Sequence, residues 1–179
     1  MDVLSVGQIV ANKYLVLDFI GQGSFSQVYK AKDLTDDKVY AIKVFPGGLV
    51  DLNAASHEFR ILSELAHPNL ARVYRYEPHQ DDCCLVMEFI PGPDILSASQ
   101  TLSFGERCLL TAQLCDALEY IHSRRIVHLD IKPSNVLTDG DRTVKLVDFG
   151  QASYGPNPSL RRTGTPAYIS PEVISGQKT

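Results

Sequence analysis

The sequence predicts an α+β fold: a five-stranded antiparallel sheet with one helix over residues 1–90, then a part over 91–179 dominated by one long helix. Three observations predict it. The first ninety residues alternate in short apolar runs separated by turns. One interruption, residues 51–66, switches to helical spacing. The stretch "PGPD" at 91–94 then breaks the composition, and a long apolar helical pattern follows it.

Taken in order, "YLVLDFI" (14–20) is an apolar run ending at Gly21, and "SQVYKAKD" (26–33) alternates after a Gly-rich segment. The turn "LTDD" leads to "KVYAIKVF" (38–45), which stops at "PGG". Short connections imply an antiparallel meander. Ala55, Phe59, Leu62 and Ala66 form the stripe of the following helix, which "HPN" (67–69) ends. "LARVYRY" and "CCLVMEF" add two strands. Beyond 94 a helix of residues 103–123 is apolar around much of its circumference, through Leu110, Leu114, Ala117, Leu118 and Ile121 on one face and Cys108, Leu109, Ala112 and Cys115 elsewhere. Such a helix is expected to be buried against several neighbours. Two short strands, "NVLTD" and "TVKLVDF", flank the turn "GDR".

The 179 residues suffice for one domain with a core or for two small lobes. A hydrophobic fraction of 44% and a net charge of −4 describe a soluble globular chain and give no reason to expect a nucleic-acid or anionic-membrane partner. No apolar run has the roughly 20 residues of a membrane span. The four cysteines, Cys83, Cys84, Cys108 and Cys115, match neither a zinc pattern nor a disulfide framework; they are expected to be reduced and core-type, in a cytoplasmic protein.

Five stretches carry chemistry. "IGQGSFSQV" (20–28) runs from strand to strand, unlike a dinucleotide fingerprint, which runs from strand to helix. A Gly-rich hairpin can lay its backbone N–H groups over phosphates. Lys43, in "AIK", shares a strand face with Ala41 and Phe45; it is either an inward lysine that needs an anion or a lysine on a sheet edge. Glu58 has Ala54, Ala55, Ile61 and Leu62 as helical neighbours and therefore points inward, a natural partner for an inward lysine. "HLDIKPSN" (128–135) crowds an acid, a cation and an amide into one loop. "DFG" (148–150) ends an apolar strand in an acid followed by a glycine, which suits a metal ligand.

In this order, and with "GTPAYISPE" following, these motifs resemble the eukaryotic-type protein kinase family. Asp130 precedes Asn135 by five residues and Asp148 by eighteen, spacings the family shares. The resemblance covers essentially the whole chain. It implies a kinase-like N-lobe, residues 1–90, and the first part of a mainly helical C-lobe, residues 91–179. It implies ATP- and Mg²⁺-dependent phosphoryl transfer to Ser/Thr hydroxyls of protein substrates. Ile20, Gly21, Gly23 and Val28 would cover the nucleotide. Val28, Ala41 and Leu137 would sandwich the adenine, with Met87 behind it and Glu88 to Ile90 as the hinge segment. Asp94 would lie near the ribose. Lys43 would hold the α- and β-phosphates and pair with Glu58. Asp130 would act on the substrate hydroxyl, Lys132 would neutralise the γ-phosphate, and Asn135 and Asp148 would bind Mg²⁺. "KPSN" and Thr165 point to the Ser/Thr branch, and His128 is expected beneath Phe149.

Three positions depart from the family. Ser26 stands where the third glycine is usual. Leu129 replaces the arginine that pairs with a phosphate on the activation loop, which makes this a non-RD sequence. Ser153, Tyr154, Ser159 and Thr163 are the hydroxyls that loop offers, with Arg161 and Arg162 as local cations. The sequence ends soon after "SPE", whereas the family continues with helices that cover the long helix and provide a partner for Glu172. The expectation is a C-terminal continuation or a dimer partner over that surface, and weak or no activity from these 179 residues alone. The alternative function is a non-catalytic kinase-like nucleotide-binding or interaction module.

Overall fold

The computed structural model describes residues 4–23, 26–47, 49–79, 82–140, 142–155 and 165–171. The chain forms two compact units, the first from Met1–Glu64 with Arg72–Phe89, the second from Leu65–Ala71 with Ile90–Thr179. The segment Leu65–Ala71, which precedes position 90 in sequence, belongs to the second unit.

Strands β1 (Ile9–Val10), β2 (Tyr14–Gln22), β3 (Gln27–Asp33), β4 (Val39–Phe45), β5 (Val73–His79) and β6 (Asp82–Glu88) build the first unit, with helix α1 (Leu49–Ser63). They form one sheet in the order β1-β2-β3-β4-β6-β5, antiparallel throughout. The five expected strands are joined by β1, which at two residues is too short to show a period. It is folded back by a three-residue connection, Ala11–Lys13, in which Ala11 and Asn12 stand at φ 50° and 53°. Positive φ at two successive residues matches the twist of the flanking strands.

Alternation decides the two faces. In β3 the buried residues are Gln27, Tyr29, Ala31 and Asp33, with Val28, Lys30 and Lys32 opposite. The first face packs Val10, Tyr14, Val16, Tyr29, Ala31, Tyr40, Ile42, Val44, Cys84 and Val86 into one core. The sheet curls around this core until the first turn meets the end of β5, where the Ala11 N–H donates to His79 Nδ1 at 3.0 Å. On the second face Phe45, Cys83 and Leu85 pack with Ala55 of α1.

One carboxylate is buried at the rim of the first core. Asp33 Oδ1 accepts from the Thr35 N–H at 2.8 Å and from its hydroxyl at 2.7 Å. Its Oδ2 lies 2.9 Å from Lys13 Nζ and 3.5 Å from Arg75 Nη1. Burial works to raise its pKa, but the Lys13 and Thr35 hydrogen bonds outweigh it and hold the carboxyl well below the ordinary range.

The second unit is built on α3 (Phe104–Ser123), preceded by a one-turn helix, α2 (Ile95–Ser99). Ser103 caps α3 and Glu106 reaches back to the Ser103 N–H, a reciprocal capping box. Strands β8 (Val136–Thr138) and β9 (Val144–Leu146) form a hairpin; β7 (Ile126–Val127) pairs with β10 (Ser153–Tyr154). Asn69 anchors the 65–71 segment by donating to Val144 O and Gln113 Oε1, both at 2.9 Å.

Three expectations are corrected here. Helix α3 is not buried on several sides: Leu110, Ala117 and Ile121 are buried, and β7 and β9 pack against the helix. Cys108, Leu109, Ala112 and Cys115 are exposed. The cysteines are therefore not all core-type. Cys83 and Cys84 are buried in β6, and burial first, with neighbouring Cys83 and Glu77, pushes the Cys84 thiol up to about 12. Helix α1 ends at Ser63, so Ala66 falls outside it and is exposed. Among the described residues no helix is long and apolar enough to cross a membrane.

Two predictions follow from packing and charge. A Cβ on Gly92 would meet Thr138 O at 2.0 Å, backbone that cannot move aside cheaply. Gly92→Ala should therefore cost roughly 1–3 kcal/mol in urea unfolding, as overpacking does. For Asp33, the folded-state pKa lies below the ordinary 3.8, so its stabilisation is complete above that value and declines as pH falls below it. Asp33→Asn should lower Tm by several degrees at neutral pH, and the gap to wild type should narrow in acid; an unchanged gap would contradict this.

Candidate active site

In the first unit the site begins with a buried ion pair. Lys43 Nζ is 2.8 and 2.7 Å from the two Glu58 carboxylate oxygens, and the Glu58 side chain is fully buried. The β4 pleat and the α1 stripe produce this meeting. Lys43 pairs with Val28 on β3 and Leu85 on β6, so all three share the face against which α1 packs. Ala41 and its partner Met87 lie on the same face. The edge-lysine alternative does not hold, because β4 is central in the sheet.

The Gly-rich hairpin joins β2 to β3. Ile20 is a bulged residue between the pairs Phe19–Tyr29 and Gly21–Val28, and half of its surface is exposed. The Gly23 N–H donates to Ser26 O at 2.8 Å, and a Cβ on Gly23 would crowd Ser26 Oγ at 3.0 Å. At the end of β6, the Glu88 N–H donates to Arg72 O, and Glu88 Oε2 accepts from the Arg72 N–H.

In the second unit Ile90 is buried. Asp94 caps α2: its carboxylate accepts from the N–H groups of Leu96 and Ser97 and from the Ser97 hydroxyl. The Ser97 hydrogen bonds hold it below the usual carboxylate range. Asp94 also bridges to Leu137 on β8.

The loop 128–135 is held from within. His128 is buried; its Nδ1 accepts from the Asp130 N–H at 3.3 Å and its Nε2 sits 3.1 Å from Val147 O. A carbonyl only accepts, so this ring is neutral with its proton on Nε2. Burial lowers its pKa, in keeping with that form. The ring meets Phe149 edge-on at 4.7 Å, as expected from sequence. Asp130 gathers four donors. Its Oδ2 takes Lys132 Nζ at 2.8 Å and Asn135 Nδ2 at 3.1 Å; its Oδ1 takes the Thr165 N–H at 2.9 Å and hydroxyl at 2.8 Å. Burial works to raise the Asp130 pKa, but Lys132 and Thr165 outweigh it and keep the acid ionised. The Thr165 hydroxyl also accepts from Lys132 at 2.9 Å.

Both hydrogen bonds from Asn135 Nδ2 go to Asp130, one to its carbonyl and one to its carboxylate. The Asn135 carbonyl accepts from the Val147 N–H, which ties the loop to the residue before Asp148. Leu129 and Asp148 both adopt left-handed backbone, φ 67° and 62°, at roughly 1–2 kcal/mol each. Strain of this kind is held where the surroundings over-determine the conformation.

Thr165 is the site residue that sequence reasoning undervalued. The "GTPAY" segment marked a branch of the family, but nothing local in it signals a contact with Asp130, 35 residues earlier. Ser159, Arg161, Arg162, Thr163 and Glu172 lie outside the described residues.

Comparison with known proteins accords with this geometry. A model of the protein kinase domain matches residues 14–179. The chain is 33% identical to cAMP-dependent protein kinase type 3 of Saccharomyces cerevisiae, over 94% of this chain and 44% of that one. It is also 33% identical to Aurora kinase B of Xenopus tropicalis, over 97% of this chain and 52% of that protein. A solved kinase-domain crystal structure superposes with a TM-score of 0.84 at 23% identity, covering 98% of this chain and 61% of the other. The chain thus spans about half the length of these curated relatives. With the family model covering nearly all of its residues, the chain belongs to the protein kinase domain family.

Proposed function

We propose that the protein carrying this chain is a serine/threonine protein kinase, transferring the γ-phosphoryl of ATP to Ser/Thr hydroxyls of proteins. The observation that carries this reading is the single hydrogen-bonded set of Asp130, Lys132, Asn135 and Thr165. Phosphoryl transfer is mostly positioning plus neutralisation of spreading charge, and this set supplies an ionised acid beside a cation.

In this reading Asp130 accepts or orients the proton of the attacking hydroxyl, and Lys132 neutralises charge on the transferred group. Lys43, oriented by Glu58, holds the α- and β-phosphates beneath the hairpin that contains Ile20, Gly21, Gly23 and Val28. Ala41, Met87, Glu88, Ile90 and Leu137 take the adenine. Asp94 is the ribose candidate, with its carboxylate already engaged as a helix cap.

Asn135 and Asp148 would hold Mg²⁺. The fit rests on the donor set: an amide oxygen and a carboxylate are hard ligands, and Mg²⁺ is commonly held by one or two protein oxygens together with phosphates. The ion would supply charge neutralisation on the phosphates.

Thr165, hydrogen-bonded to Asp130, supports the Ser/Thr branch. Leu129 supports activity that does not depend on a phosphorylated loop, because the docking cation is absent from that position. The exposed apolar side of α3 supports a cover in the whole protein, by further chain or by a partner copy. ATP as substrate and four free thiols suit a cytoplasmic location.

Labelled phosphate transfer from ATP with Mg²⁺, measured on the longest natural form of the protein, tests the proposal. Asp130→Asn should reduce kcat by about 10²- to 10⁴-fold, the range for a lost acid–base group. A nucleotide-induced thermal shift without any transfer would leave the non-catalytic binding module as the better account. Phosphatase treatment should leave transfer unchanged, and a large loss would overturn the reading of Leu129.

A further inference from the structure

The Gly-rich hairpin has to be held from its base. Among the described residues, a Cβ added at Gly21 would meet nothing within 4 Å. The base is the bulge at Ile20, between the pairs Phe19–Tyr29 and Gly21–Val28, where the ribbon can bend. Tyr29 occupies that bend. It is fully buried, and its ring meets Phe19 edge-on at 5.5 Å.

The Tyr29 hydroxyl sits in a short relay. It donates to Gln27 Oε1 at 2.6 Å and accepts from the Leu4 N–H at 3.0 Å. Gln27 is itself buried and pairs with Gln22 across the hairpin, one residue from Gly21 and Gly23. At the other end, Leu4 is presented by a folded segment. The Gly7 N–H donates to Val16 O, the Val16 N–H donates to Gln8 O, and Gln8 Oε1 accepts from the Ser5 N–H. The Leu4 side chain packs on the same core. Chains of hydrogen bonds in a buried setting polarise one another and resist partial loss.

We infer that the N-terminal segment, through Tyr29 and Gln27, sets the position of the Gly-rich hairpin and with it the grip on nucleotide phosphates. Tyr29 is thus a positioning residue, and residues before β1 tune affinity without touching the nucleotide. This rests on the nucleotide-binding reading above.

The test is affinity for a fluorescent ATP analogue with Mg²⁺ in three variants: Tyr29→Phe, a chain beginning at Ser5, and the two combined. Each single variant should bind about 3- to 10-fold more weakly, an effect on the scale of a modest hydrogen bond transmitted through the hairpin. The combined variant should be no weaker than either, because the two act in series. Tyr40→Phe is the control for general loosening. Tyr40 belongs to the same core, but its hydroxyl donates to Asp36 at 2.9 Å, away from the hairpin. It should lose thermal stability and keep its affinity. In the active protein the relay variants should raise KM for ATP and leave kcat unchanged. If wild type fails to bind the analogue, the nucleotide reading falls and this inference with it. If wild type binds and Tyr29→Phe binds equally, or Tyr40→Phe weakens binding as much, the relay alone is overturned.

Discussion

A largely buried carboxylate that must stay ionised is the constraint on which the second unit depends. Asp130 can remain charged only because each of its oxygens takes two donors, and those donors come from different stretches of chain. Lys132 and Asn135 arrive from the same loop; Thr165 arrives from a later segment. Satisfying one acid thus ties the 128–135 loop, with its 3₁₀ turn Pro133–Asn135, to the segment in which Thr165 leads into a second 3₁₀ turn, Pro166–Tyr168. Removing any one donor leaves a charge partly uncompensated in a poorly solvated place, which is why such networks behave as a whole.

The first unit meets the same problem with an ion pair. Lys43 and Glu58 are both buried, and each makes the other tolerable. Their pairing fixes the rotation of α1 against the sheet, since a helix turned by one residue would direct Glu58 elsewhere. His128 takes a third route. It stays neutral, and its two ring nitrogens join the backbone of Asp130 to that of Val147.

Much of this was legible in the sequence because it is periodic or local. Strand alternation puts Lys43 on one face with Ala41 and Phe45 and leaves an edge position open, which the central place of β4 closes; the inward Glu58 follows from helical spacing. The crowding of Asp130, Lys132 and Asn135 follows from their being near neighbours. What the sequence hid was either short or distant. Strand β1 and helix α2, at two and five residues, are below the length at which a period can be read. The contact of Thr165 with Asp130 spans 35 residues and depends on tertiary structure alone. Helix α3 misled in the opposite sense: its apolar residues are real, but among the described residues only the stripe of Leu110, Ala117 and Ile121 is buried.

The curl of the first sheet has a consequence for its edges. An open sheet ends in two strands with unpaired backbone groups, each a template on which another chain can add a strand. Here the two ends, β1 and β5, are drawn toward each other until Ala11 and His79 bond. Edge strand β1 is only two residues long, and β5 carries Pro78, which has no N–H to offer. The same bend that closes the tyrosine-rich core therefore leaves little edge for a second molecule to extend. Resistance to strand-by-strand aggregation is built into the way this lobe packs.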